Sequence, residues 1–392
     1  MGYAATQLPK ALAQLGADVH YVTAGLPPYN AMPNFPETYG EFISEAQKGV
    51  TTERHEGYTV HFLPYRMQFG YVRMQGLYAK LRELNPDIVQ TFATISWTAL
   101  DAALIKPRLG YKFFVGNHTT ASVFPLAQRV SSRWERDRIK NTLTRELCGR
   151  VVSVFAEKCY AATVDCADVA VRFFGVPAPK IDTIPLGVDT DTFFPATTPE
   201  YVRDRANTRG EFGYRSEEIV CIYTGRFAAD KNPLLLARAV ETLASAGRPF
   251  RSLFFGNGVQ FEGIAKCGGA TVRKFVPFTQ LGKYYRAADI GVWPAQESTS
   301  MLDAAACGLP LVVNDTLRAV ERIEGNGLQY KLSDLDDLVR VLERLQDAGL
   351  RKQLGALGAQ KMCKQFSWLS LAQRRMDDYE KVLRGNGKEE GE

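Results

Sequence analysis

Residues 219–233 read Ile219-Val220-Cys221-Ile222-Tyr223-Thr224-Gly225-Arg226-Phe227-Ala228-Ala229-Asp230-Lys231-Asn232-Pro233. The first six form a short apolar run closed by a glycine, which is the pattern of a strand buried on both faces. Two cations, Arg226 and Lys231, follow in one loop, and Pro233 suits the first turn of a helix expected to run to about Ala246. A buried strand, a cationic loop and a helix are the repeating unit of an open parallel sheet. Ligands of such sheets bind beyond the carboxyl ends of the strands, where N–H groups and helix starts point outward.

Strands of the same kind are expected downstream at Phe250–Phe255, ended by Gly256-Asn257-Gly258, and at Ala288–Trp293 and Leu309–Val313. Upstream, Asp18–Thr23, Tyr58–Pro64, Asp87–Phe92 and Phe113–Asn117 read as strands separated by helical stretches, with Val151–Val154 near a further helix–strand boundary. The expected fold class is α/β, with two Rossmann-like domains whose parallel sheets face an interdomain cleft. Their joint is expected near Phe194-Pro195-Ala196-Thr197-Thr198-Pro199, which gives domains over 1–195 and 200–365. A last helix near Leu369–Leu383, within 366–385, carries an apolar face of Trp368, Leu371, Met376, Tyr379, Val382 and Leu383, and 386–392 reads as a disordered tail.

The 392-residue length exceeds one ordinary core. The chain is 45% hydrophobic, with 48 Lys and Arg against 43 Asp and Glu. This mild excess suits an anionic small molecule and gives no concentrated basic face for nucleic acid. The seven cysteines are odd in number and lack metal-ligand spacing, so they read as small buried residues of a reducing compartment. No apolar run is long enough to span a bilayer, and Gln7, Lys10 and Gln14 interrupt any signal-peptide core. A cytoplasmic location is expected.

Preorganised cations facing a diphosphate would stabilise the charge that builds as its bond to a sugar breaks. In isolation, Arg226 and Lys231 read equally as cations of a solvated loop. The second constellation is Trp293-Pro294-Ala295-Gln296-Glu297-Ser298-Thr299-Ser300-Met301-Leu302-Asp303, leading to Gly308. Ser298, Thr299 and Ser300 are candidates to cap a helix and to leave N–H groups for a phosphate. Glu297 and Asp303 are acceptors suited to sugar or ribose hydroxyls; ordinary capping with a solvated Asp303 is the bland alternative. Asp189-Thr190-Asp191 and Asp334-Leu335-Asp336 share the D-x-D form of a metal site. Both read as non-metal, with Ser333 marking a helix start.

Taken together, Gly225–Lys231, Gly256-Asn257-Gly258, Tyr284–Asp289, Gly187-Val188-Asp189 with Phe193 and Pro195, and Phe366-Ser367-Trp368 resemble glycosyltransferase family 4, the large retaining family with the GT-B fold. The resemblance covers nearly the whole chain. It implies that Arg226 and Lys231 hold a donor diphosphate. Glu297 and the Ser298–Met301 backbone would meet the donor sugar and phosphate, and Asp303 the ribose. The loops around Asn257 and Val276-Pro277-Phe278 would face the base. His118, directly after the Phe113–Asn117 strand, matches the histidine that touches the transferred sugar. The final helix would cross back onto the N-terminal domain. The implied substrate is a UDP-, GDP- or ADP-sugar, with a glycan or lipid-linked acceptor and neither metal nor other cofactor.

The chain departs from the family pattern twice. Glu297 and Asp303 stand six positions apart, where the family spaces two glutamates eight apart around a glycine-rich loop. The family also opens with a strand and a glycine-rich loop, whereas Met1-Gly2-Tyr3 leads straight into a helix expected at Thr6–Leu15. Gly2 is therefore read as the remnant of a donor-phosphate loop whose strand lies upstream of Met1. Arg129–Lys140 interleaves basic and aromatic residues and reads either as a solvated helix face or as a peripheral contact with an anionic membrane. Two rival activities stand beside glycosyl transfer: an epimerase or phosphorylase on the same fold, and a non-catalytic nucleotide-sugar-binding protein.

Overall fold

The computed structural model describes residues 3–26, 51–121, 124–127, 139 and 141–385. The chain divides into two compact units. The first holds Ser44–Leu186 and Leu369–Glu392 together with the N-terminal residues, and the second holds Gly187–Trp368.

The first unit opens with α1 (Tyr3–Gln14) and β1 (His20–Ala24). β2 (Thr51–His55) and β3 (Tyr58–Leu63) form an antiparallel hairpin, and β1 pairs parallel to β3. A second hairpin, β4 (Tyr65–Gln68) with β5 (Tyr71–Met74), stands as a separate two-stranded ribbon. Next come α2 (Leu77–Leu84), β6 (Ile88–Thr91), α3 (Trp97–Leu109) and β7 (Lys112–Asn117). After the described Thr142–Glu146 turn follow α4 (Leu147–Phe155), β8 (Lys158–Ala161), α5 (Val164–Phe174) and β9 (Ile181–Thr183). β6 to β9 make a parallel four-stranded sheet in chain order, so β1 and β6 each end their own sheet. Phe113, Val115, Val152 and Phe174 centre the core, and Val22 and Val89 pack against it from the two sheets.

The second unit contains α6 (Pro199–Glu211), β10 (Ile219–Thr224), α7 (Pro233–Ser245), β11 (Phe250–Phe255), α8 (Phe261–Ala265) and β12 (Ala270–Arg273). It continues with α9 (Phe278–Ala287), β13 (Ile290–Trp293), α10 (Ser300–Ala306), β14 (Leu311–Asn314), β15 (Gly327–Tyr330), α11 (Leu335–Arg344) and α12 (Ala348–Lys361). Its six strands form one parallel sheet in the order β12-β11-β10-β13-β14-β15. Every residue of β10 is buried. The strand order reverses between β10 and β13, so the loops after these two strands diverge at the topological switch point.

The unit boundary falls between Leu186 and Gly187, earlier than the expected joint at 194–199. The intervening residues are claimed by the second core: Val188 and Phe193 are buried in it, and the Phe193 ring meets Tyr285 at 5.8 Å. Val188 N–H donates to Phe366 O, and Trp368 N–H donates to Val188 O, which ties the two crossing segments together. α13 (Trp368–Gly385) belongs to the first unit from Leu369 onward. There Tyr379 packs edge-on against Phe114 at 4.7 Å, and Asp378 accepts from Lys158 at 2.7 Å.

The helix–strand boundary expected near Val151–Val154 is present: those residues close α4, and the strand follows at Lys158–Ala161. The start of α11 is capped by Asp334, whose Oδ1 accepts from Asp337 N–H at 3.0 Å, while Ser333 precedes it at φ +64. Cys159, Cys166, Cys221 and Cys307 are buried, whereas Cys363 is exposed. No described helix is long and apolar enough to cross a membrane.

Candidate functional site

The switch point of the second unit is built by backbone crowding. Gly225 leaves β10 at φ +147, a conformation that L side chains rarely adopt, and a Cβ there would lie 2.8 Å from the Tyr223 hydroxyl. A Cβ on Gly256 would lie 1.9 Å from Gly225 O, so the ends of β10 and β11 meet backbone to backbone. Phe227 N–H donates to Asn257 O at 2.8 Å, which extends that pairing into the loops. These contacts leave Arg226 and Lys231 on a loop held at both edges.

Lys231 bridges the loops after β10 and β13. Its Nζ donates to Glu297 O at 2.7 Å and reaches Gln296 O at 3.4 Å, while Gln296 N–H donates to Asp230 O at 3.1 Å. Burial lowers the ammonium pKa to about 8; Arg226 adds to that lowering, and Asp230 and Glu297 oppose it. Arg226 forms an exposed pair with Asp230 at 3.0 Å. Exposed pairs contribute little and exchange readily for a better anion. α7 begins behind this loop, with Pro233 as its first residue.

Glu297 is partly exposed, and its Oε2 accepts from Nη1 of the buried Arg322 at 3.0 Å. Arg322 lies 25 positions downstream at the end of a single 3-10 turn, Val320–Arg322, and no motif in the sequence singled it out. The serine loop is more inwardly committed than expected. Ser300 Oγ accepts from Trp293 Nε1 at 3.1 Å and lies 2.9 Å from Ser298 Oγ. Thr299 occupies the cap position of α10 without a side-chain capping bond. The Met301 side chain is fully buried, and its N–H donates to Ser298 O at 3.2 Å, so that amide is already spoken for.

Asp303 does not stand as an exposed acceptor. It is 9% exposed on the inner face of α10, and its Oδ1 is buried without a hydrogen-bond partner. Burial, and then the nearby Asp189, push its carboxyl well above the usual range, which favours the neutral acid. Asp189 closes a local turn: its carboxylate accepts from Asp191 N–H at 3.1 Å and from the Thr192 hydroxyl at 2.9 Å. Tyr284–Asp289 is structural too, because Asp289 accepts from Arg205, Arg209 and Val220 N–H and so anchors α6 to the sheet.

Val276 packs partly buried against the second core, and Phe278 is exposed at the start of α9. In the first unit His118 directly follows β7 and is exposed. The surrounding protein and then the Arg375 guanidinium lower its imidazole to about 4, so the ring is neutral near pH 7. Gly2 lies outside the described residues, as does Arg129–Lys140 apart from Ile139.

Glycosyltransferase Family 4 matches residues 1–192, and Glycosyl transferases group 1 matches 218–347. D-inositol 3-phosphate glycosyltransferase of Streptomyces bingchenggensis is 29% identical over 252 residues, covering 59% of this chain and 54% of its own. The protein of the same name from Xylanimonas cellulosilytica is 30% identical over 239 residues, covering 56% of this chain and 55% of its own. The chain thus spans about half the length of these curated relatives. Sucrose-phosphate synthase of Thermosynechococcus elongatus shares the fold at TM-score 0.66 and 18% identity, over 97% of this chain and 92% of that one. Anabaena HepE, solved in complex with UDP-glucose, does so at TM-score 0.66 and 14% identity, over 98% and 96%. With GT-B neighbours, a Rossmann-like sheet whose switch point carries two cations, and family matches over both halves, the chain belongs to glycosyltransferase family 4.

Proposed function

We propose that this chain transfers a hexose from a nucleotide-diphosphate sugar to a glycan or lipid-linked acceptor, retaining the anomeric configuration and using no metal. The observation that carries this reading is Lys231, a half-desolvated ammonium at the switch point beside Arg226. A desolvated cation there favours a dianionic leaving group over neutral solutes. The UDP and UDP-glucose complexes of the Anabaena neighbour make a uridine donor the first to test.

On this reading the acceptor hydroxyl attacks the anomeric carbon from the face that the diphosphate leaves. The bond from that carbon to the diphosphate oxygen breaks, and the departing diphosphate takes the acceptor's proton. Arg226 releases Asp230 to meet one phosphate, and Lys231 meets the other. Glu297, oriented by Arg322 through Oε2, keeps Oε1 for a sugar hydroxyl. Ser298 and Thr299 supply loop backbone to the donor, the loops at Asn257, Val276 and Phe278 supply the base contacts, and His118 offers a neutral imidazole to the transferred sugar. A peripheral membrane contact at Arg129–Lys140 belongs to the same reading and would present a lipid-linked acceptor.

The test is a thermal-shift screen with UDP-, GDP- and ADP-sugars, followed by labelled-sugar transfer with and without chelator. One nucleotide sugar should raise Tm, and transfer should survive chelation. No shift with any donor, or hydrolysis without acceptor dependence, would overturn the proposal.

A further inference from the structure

The β4–β5 ribbon lies outside both sheets of the first unit, and a lone two-stranded hairpin is marginal in water. It also carries two local penalties. Phe69 sits at its tip at φ +53, followed by Gly70 at φ +81. Asn or Asp suits the first of two such left-handed positions, and a bulky aromatic there is an outlier. Arg66 stands directly opposite Arg73 in the register, a like-charged cross-strand pair. α3 braces the ribbon: Trp97 Nε1 donates to Gln68 O at 3.2 Å, and Arg73 binds Asp101 through two bonds while covering the Trp97 ring.

The outcome of these strained choices is an apolar tip in water. Phe69 is 73% and Met67 61% exposed. The neighbouring helical segment props the ribbon, with Arg145 donating to the Tyr71 hydroxyl at 2.8 Å. Beneath the ribbon, Arg66, Arg73 and Arg108 line a cavity of about 520 Å³. Its acid, Asp101, is engaged by Arg73.

We propose that this face docks on an anionic phospholipid bilayer, with Phe69 and Met67 entering the acyl boundary and the groove arginines meeting lipid phosphates. Projecting apolar knobs ringed by arginines match the boundary between acyl chains and anionic headgroups. The proposal rests on the membrane contact of that reading and places a docking point at the hairpin.

The test is co-sedimentation of the full chain with phosphatidylcholine vesicles, with and without phosphatidylglycerol, at low salt. The protein should bind only the anionic vesicles. Phe69→Asn should lower that binding by about tenfold or more, yet hold or raise Tm, because Asn-Gly suits the turn. Met67→Ser should weaken binding in the same direction from a regular strand position, and Arg66→Gln by about fivefold. Equal binding by Phe69→Asn and Met67→Ser, or equal binding to neutral vesicles, overturns the proposal. So does a loss of self-association in Phe69→Asn without any vesicle effect, which would assign the face to a second copy of the chain. Donor-induced Tm shifts, measured separately, report whether the sugar-transfer reading stands or fails on its own.

Discussion

The two units hold their cations in opposite ways. In the second, Arg226 and Lys231 leave the buried strand β10, which has neighbours on both sides and ends in glycines packed backbone to backbone. In the first, Arg66 and Arg73 ride a two-stranded ribbon outside the sheets, braced by side chains of α3, by Arg145 on Tyr71 and by Met74 in the core. The contrast shows where stability and function are coupled. At the switch point a change in backbone volume reaches the core, whereas on the ribbon a side chain can change without disturbing it. The first arrangement suits a rigid site for a charged leaving group, and the second suits a surface that meets a soft partner.

The sharpest test of that coupling is Gly256→Val. Its Cβ would collide with Gly225 O, and unlike a side chain that oxygen cannot swing away. Denaturant unfolding should report a loss of about 3 kcal/mol or more. The exposed helical Gly210 has nothing within reach of a Cβ, and Gly210→Ala should gain roughly 0.5–1 kcal/mol. Comparable losses at both positions would erase the contrast.

Next in size is Lys231→Ala, which should cut turnover by about 100-fold with little change in Tm, as expected for a lost transition-state cation. Near-parent turnover would remove Lys231 from the mechanism. The same group sets a pH dependence. Its pKa in the unliganded protein is lowered to about 8, so the charged form dominates below pH 8 and is lost as pH rises through it. Donor affinity should then fall about tenfold per pH unit above 8, because only the charged fraction binds, and donor binding near that pH should take up protons. Titration calorimetry in buffers of different ionisation enthalpy checks the uptake; no uptake means that the ammonium does not meet the diphosphate.

The smallest effect is expected at Asp230→Asn. Freeing Arg226 from an exposed pair should move stability by less than about 0.5 kcal/mol. Donor affinity should rise slightly as an internal competitor disappears. A large loss of stability would show that the pair is structural.

Much of the second unit was legible before any coordinates. β10 and β11 match the strands expected from their apolar runs, and α7 starts at Pro233 and ends within a residue of the expected position. Buried parallel strands read clearly because both faces demand apolar residues. The first unit was harder. Thr51-Thr52-Glu53-Arg54-His55 is an edge strand with no apolar alternation, and the β4–β5 ribbon owes its form to Trp97 and Asp101, which come later in the chain. At the candidate site, Lys231 and Glu297 were singled out from loop position. Arg322 was not, because a buried partner on a single three-residue 3-10 turn leaves no periodic trace.

Local spacing and residue type determined the alternation of strands and helices, the glycines that close the strands, and the family to which the chain belongs. Those signals lie within a few residues of one another and need no knowledge of the partner strand. Tertiary structure decided which polar groups remain available. It turned Asp303 and Met301 inward, drew Ser300 to Trp293, set Arg322 against Glu297 and left Phe69 in water. Burial and pairing depend on what packs from distant parts of the chain, and that is settled only when the core closes.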